Sequence, residues 1–215
     1  MHGRAERRLV TVLFADISGF TPLSEVLDPE EVREIVNACL EALVAVVHRY
    51  GGTVDKFIGD AVMALFGAPQ AHEDDAERAV AAALEMRQAL DGVSQRMAAR
   101  LPSALGLHAG ISTGLVIAGK VGALARSDYT VLGDTVNLAA RLEDLSVDGQ
   151  VLVSQATERA SRHAFTYRPL PPVMLKGKSI AVAVFELTGV RARRRQRGIP
   201  GLSCLLYTSP SPRDS

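Results

Sequence analysis

The stretch TVDKFIGDAVMALF (Thr53–Phe66) constrains the fold more than any other part of this chain. Thr53–Ile58 and Ala61–Phe66 read as two apolar-rich strands with only Gly59-Asp60 between them, a separation that requires an antiparallel hairpin with a two-residue turn. Asp60 therefore stands at a hairpin tip. Upstream, the β-branched run Leu9–Phe14 reads as a buried strand ending at Asp16 and the Ser18-Gly19 turn. Between strand and hairpin, Asp28-Pro29-Glu30-Glu31 supplies an N-cap, a proline in the first helical position and two acids in the first turn. Val32, Ile35, Val36, Cys39, Leu40, Leu43, Val46 and Val47 then repeat at helical spacing until Gly51-Gly52 ends the helix.

The same logic extends beyond the hairpin. A second helix is expected at about Glu73–Arg100, with Ala76, Ala79, Val80, Ala83, Leu90, Val93 and Met97 on one face and Leu101-Pro102 as its stop. Strands are expected at Gly106–Ser112, Leu115–Ala118 and Tyr129–Leu132, with turns at Gly114, Gly119 and Gly133. The order β, α, β, β, α, β specifies an α+β, ferredoxin-like (palm-like) antiparallel sheet with its helices on one face. In that layout the end of the first strand lies beside the hairpin tip, bringing Asp16 and Asp60 together. An αβαββ extension follows: a helix from Asp134-Thr135 to about Leu145, a strand at Gln150–Val153, a helix at Ser154–His163, and strands near Val173 and at Ala181–Leu187.

Composition sets the outer limits. With 47% hydrophobic and 22% charged residues in 215, the chain is globular and long enough for one well-packed domain, placed at residues 1–188. Six of the 24 basic residues lie beyond Val190 against one acid, Asp214, so residues 1–190 are net acidic. Nucleic-acid binding is disfavoured by that balance. No apolar stretch reaches the roughly 20 residues that span a bilayer, and the polar start at Met1–Arg8 is not signal-like, so a cytoplasmic location is expected. Residues 189–203, including RARRRQR, read as a basic linker. Residues 204–215 (CLLYTSPSPRDS) resemble a translated sequencing-library adapter and are expected to be non-native.

Two carboxylates held a few ångströms apart repel, and one takes up a proton unless cations neutralise both. Cys39 reads as a core thiol, and the five histidines show no ligand spacing, so the expected donors are oxygens with no His or Cys nearby. That donor set suits Mg²⁺ or Mn²⁺ bound together with a phosphate substrate, hence phosphoryl transfer.

Four strings, VTVLFADISGFTPLSE, DKFIGDAVMALFG, GLHAGISTGLVIAG and YTVLGDTVNLAARLEDL, occur in order over residues 8–188. Together they resemble the class III nucleotidyl cyclase catalytic domain. The resemblance implies a homodimer with active sites at the interface and two Mg²⁺ or Mn²⁺ ions per site, held by Asp16, Asp60 and the carbonyl of Ile17. It also implies that Lys56 and Thr130 read the purine, that Asn137 orients the ribose, that Arg141 stabilises the transition state, and that Lys176, or Lys178, contacts the terminal phosphates. These last five roles would be filled by the opposite subunit. Backbone N–H groups of Gly19, Phe20 and Thr21, after Asp16, are placed to cradle phosphate oxygens. In the family the Lys-plus-Thr combination goes with ATP, so the expected reaction is ATP to 3′,5′-cyclic AMP and pyrophosphate. Guanylate cyclase activity and a catalytically silent dimerisation module are the alternatives. A diguanylate cyclase is excluded by the absence of its Gly-Gly-Asp/Glu-Glu-Phe signature. By analogy, domains opening with ERRLVTVLFAD stand at the start of longer proteins with an ATPase and helical repeats, and such domains are expected to follow this one.

Overall fold

Strand β1 (Glu6–Ser18) is buried from Val10 through Ala15 without interruption, as expected of a strand covered on both faces. It occupies an interior position of a single sheet. The computed structural model describes residues 6–19, 23, 26–101, 103–121, 128–174 and 181–191. Among them are eight strands and four helices. The sheet order is β2 (Thr53–Ile58), β3 (Ala61–Phe66), β1, β4 (Gly106–Val121), β6 (Val151–Ser154), β8 (Val182–Val190) and β7 (Phe165–Val173). Strand β5 (Asp128–Leu132) pairs with the far end of β4. All the pairings are antiparallel except β4 with β6.

Helices α1 (Pro29–Arg49) and α2 (Asp75–Arg96) bury Ile35, Leu43, Val80 and Met86 against Leu13, Ile17, Phe66 and Leu107 on one face of the sheet. This is the palm expected from the sequence. The opposite face, with Val10, Val12, Phe14, Met63 and Leu65, is covered by Val131 of β5 and Ala139 of helix α3 (Asp134–Leu145). A short helix, α4 (Gln155–Ser161), starts under a Ser154 cap whose hydroxyl accepts from the Thr157 N–H. Among the described residues no helix is long and apolar enough to cross a membrane.

Two expectations need correction. Gly106–Val121 is one strand rather than two, so Gly114 and Gly119 lie within a strand and not at turns. At Gly114 a Cβ would come within 2.5 Å of Thr135 Oγ1, so glycine there allows the start of α3 to approach the sheet. Helix α2 ends at Arg96, one turn earlier than the apolar pattern suggests.

Candidate active site

The pairing of Ala15 with Val62 puts the end of β1 beside the start of β3, and Gly59, at φ +64°, closes the hairpin that presents Asp60. The two carboxylates feel each other. Asp16 has its pKa raised, first by burial and second by the charge of Asp60; His108 and the Ile17 N–H, which donates to Asp16 Oδ1 at 3.0 Å, act in the opposite direction.

A histidine does stand at this site, contrary to expectation. His108 is the β4 residue directly opposite Asp16, and its Nε2 lies 3.6 Å from Asp16 Oδ2 and 3.0 Å from Glu143 Oε1. Ligand atoms of Asp16, His108 and Glu143 all fall within 4.8 Å of one another. Glu143 is also shifted upward, chiefly by burial and then by the Asp16 charge. His108 thus stands between the carboxylates of Asp16 on β1 and Glu143 on α3.

The expected purine readers also meet. Lys56 on β2 places Nζ 3.5 Å from Thr130 Oγ1 on β5. A third side chain joins them: Asp55 Oδ2 lies 3.1 Å from Lys56 Nζ and accepts from the Thr130 hydroxyl at 3.0 Å. The Asp55 side chain is 1% exposed, and its other oxygen, Oδ1, is buried without a partner among the described residues.

Asn137 and Arg141 lie one turn apart on α3, on the same side of the helix. Two close approaches seat this helix. The Thr135 hydroxyl donates to the Leu115 carbonyl at 3.1 Å, and Gly110 sits so near that a Cβ would fall 2.2 Å from both the Ala139 carbonyl oxygen and the Glu143 nitrogen. Asn137 is exposed, and among the described residues neither its side chain nor that of Arg141 has a hydrogen-bond or ion-pair partner. No such contact joins Lys56, Thr130, Asn137 or Arg141 to Asp16 or Asp60 within one protomer, again among the described residues.

Residues 4–189 match the family described as "Adenylate and Guanylate cyclase catalytic domain". The chain belongs to the class III nucleotidyl cyclase catalytic domain family. This cyclase domain is 38% identical over 192 residues to "Adenylate cyclase 1" of Rhizobium meliloti (strain 1021), with 87% of the chain and 29% of the relative covered. It thus spans under a third of that relative's length. Among solved structures, the adenylyl cyclase CyaB from P. aeruginosa superposes with a TM-score of 0.84 at 36% identity, covering 88% of this chain and 98% of that one. The guanylyl cyclase Cya2 superposes with a TM-score of 0.83 at 37% identity, covering 91% and 98%.

Within the cyclase domain, Gly19 adopts φ +98° at the end of β1, while Phe20, Thr21, Lys176 and Lys178 lie outside the described residues. Sequence reasoning missed three members of the site: His108, Glu143 and Asp55. The first two become neighbours of Asp16 only through the β1–β4 register and the docking of α3, and neither carries a local signal. Asp55 had one, its place immediately before Lys56.

Proposed function

We propose that this domain converts ATP to 3′,5′-cyclic AMP and pyrophosphate at sites shared between two copies of the chain. The carrying observation is the meeting of Lys56 and Thr130, 3.5 Å apart, from strands well separated in the sheet. Likeness to solved structures does not discriminate the base, since an adenylyl and a guanylyl cyclase match about equally well. The Lys–Thr pair favours adenine. Adenine offers an acceptor at N1 to the ammonium and an amino donor at N6 to the threonine oxygen, whereas guanine offers the reverse. A silent module is disfavoured because Asp16, Asp60, Asn137 and Arg141 are all present.

The donor set fits hard divalent cations. Burial first and repulsion from Asp60 second raise the pKa of Asp16, and a cation between the two carboxylates would relieve the repulsion. Asp16, Asp60 and the Ile17 carbonyl would hold the ions, two per site, as Mg²⁺ or Mn²⁺. When bound, these supply a lowered pKa for the ribose 3′-hydroxyl and neutralise the departing pyrophosphate.

The chain's own groups do the rest. The O3′–Pα bond forms as the bond from Pα to pyrophosphate breaks, and the 3′-hydroxyl proton leaves to solvent. Asn137 orients the ribose so that O3′ lies in line with Pα. Arg141 donates to the α-phosphoryl oxygens as charge accumulates on them. Backbone N–H groups of Gly19, Phe20 and Thr21, with the Lys176 ammonium, bind the remaining phosphates.

Among the described residues Asn137 and Arg141 reach no metal-side group of their own protomer, which supports their supply by a second copy. An apolar surface fits that copy. Leu9 pairs with Leu115 and Ile117 with Leu132, which puts all four side chains on one side of the strands, and each is more than half exposed. A cytoplasmic location, with its ATP supply, suits this reading.

Incubation of the purified protein with Mn²⁺ and either ATP or GTP tests the proposal. Cyclic AMP with stoichiometric pyrophosphate is expected from ATP, in excess over cyclic GMP from GTP. A preference for GTP would overturn the assignment of substrate.

A further inference from the structure

In a regular strand, neighbouring residues point to opposite faces. Asp55 and Lys56 nevertheless reach the same hydroxyl. The reason lies in the β2–β3 register: Val54 pairs with Ala64 and Lys56 with Met63, leaving Asp55 as the extra residue of a β-bulge. Ala64 faces the α1–α2 side of the sheet, and Met63 faces the side covered by β5 and α3. The bulge therefore turns Lys56 to the β5 side, together with Asp55, and both meet Thr130 there.

We propose that Asp55 is a positioning residue for base selection, which fixes the Thr130 hydroxyl as a hydrogen-bond acceptor toward the substrate base. The inference rests on the Lys56–Thr130 reading above and deepens it.

A threonine hydroxyl by itself does not discriminate, because its single hydrogen can rotate to serve a carbonyl or away to receive an amino group. Here its hydrogen is committed. Thr130 Oγ1 lies 3.0 Å from Asp55 Oδ2, an ionised carboxylate has only acceptor oxygens, and the Asp55 side chain is 1% exposed, so water does not compete. Lone pairs of Thr130 Oγ1 are then all that a base can meet. The same Oδ2, 3.1 Å from Lys56 Nζ, holds the ammonium alongside. Together the three side chains present one donor and one acceptor in fixed order. That arrangement complements a purine with N1 bare and an amino group at C6, and it opposes one with N1 protonated and a carbonyl at C6.

The test compares kcat/KM for ATP, GTP and inosine triphosphate, the last differing from ATP only at the 6-position and N1. Replacing Asp55 frees the Thr130 hydroxyl to donate. Asp55→Ala should lower the ATP-to-ITP ratio by about 10-fold, the scale of one buried hydrogen-bond mismatch. Asp55→Ser, whose own hydroxyl can donate or accept, should relax the ratio similarly with less packing loss. In a Thr130→Val background, Asp55→Ala should change the ratio far less than it does in the wild type, since no hydroxyl remains to orient and only the hold on Lys56 is lost. Equal losses for ATP and ITP, or independent effects of the two substitutions, would overturn the inference while the substrate assignment stands. A wild-type preference for ITP and GTP over ATP would instead overturn that assignment, and this inference with it.

Discussion

Gly110→Ala provides a demanding test of how α3 is seated. A Cβ at Gly110 would lie 2.2 Å from the Ala139 carbonyl oxygen, 2.2 Å from the Glu143 nitrogen and 2.8 Å from the Leu142 carbonyl carbon. All three are backbone atoms, so no side chain can swing aside. Reaching ordinary contact requires α3 to move off β4 by about 1 Å, and overpacking of this kind destabilises by about 1–3 kcal/mol. For a domain of this size that lowers the melting temperature by roughly 2–12 °C. The functional effect should be larger than the thermal one suggests. Helix α3 carries Asn137 and Arg141, and a displacement of about 1 Å in such groups reduces turnover by roughly 100-fold. Gly92→Ala is the control: within α2, its Cβ would meet only Arg96 Nη1, at 3.5 Å, so it should stabilise by about 0.5–1 kcal/mol. Thermal melts and steady-state cyclic AMP production on the three proteins decide the matter. A Gly110→Ala protein with unchanged melting temperature and turnover would refute the argument.

Four further outcomes are expected. Arg141→Ala should reduce kcat by about 10²- to 10³-fold with little change in nucleotide affinity, measured by turnover beside equilibrium titration with 3′-deoxy-ATP, which lacks the attacking hydroxyl. The folded-state pKa of Asp16 is raised, so its ionisation destabilises the fold as pH climbs through that value, and the penalty is absent below its unfolded value. The melting-temperature gain from Mn²⁺ should therefore be full at neutral pH and fade as pH falls through the raised Asp16 pKa. Asp60→Asn should raise the metal-free melting temperature at neutral pH while diminishing the Mn²⁺ gain. Leu115→Asp, in the exposed apolar surface, should shift the protein toward monomer in sedimentation and lower specific activity in parallel, with the melting temperature changed by less than about 2 °C because the side chain is 64% exposed.

The legibility of this chain followed the range of the interactions involved. The Gly59-Asp60 turn, the Pro29 start of α1 and the one-turn spacing of Asn137 and Arg141 are local, and the structure has them as the residues imply. Gly114 misled because a glycine that admits a neighbouring helix looks, in sequence, like one that makes a turn. The bulge at Asp55 was invisible because a single inserted residue leaves the hairpin's apolar pattern intact while turning the next side chain to the other face. His108 and Glu143 reach Asp16 from β4 and from α3, through a register and a helix docking that no short window of sequence contains.

The β2–β3 hairpin has one neighbour in the sheet, β1, while β1 is gripped from both sides. Asp16 is thus mounted on an interior strand and Asp60 at the turn of the hairpin that ends the sheet. Lys56 rides on the same hairpin as Asp60, only four residues before it. In the proposed dimer these two serve opposite catalytic centres, because each centre takes its carboxylates from one copy and its purine reader from the other. A shift of that hairpin on ion uptake at one centre would therefore be felt in base recognition at its twin, so the two seams would fill in a correlated rather than an independent manner.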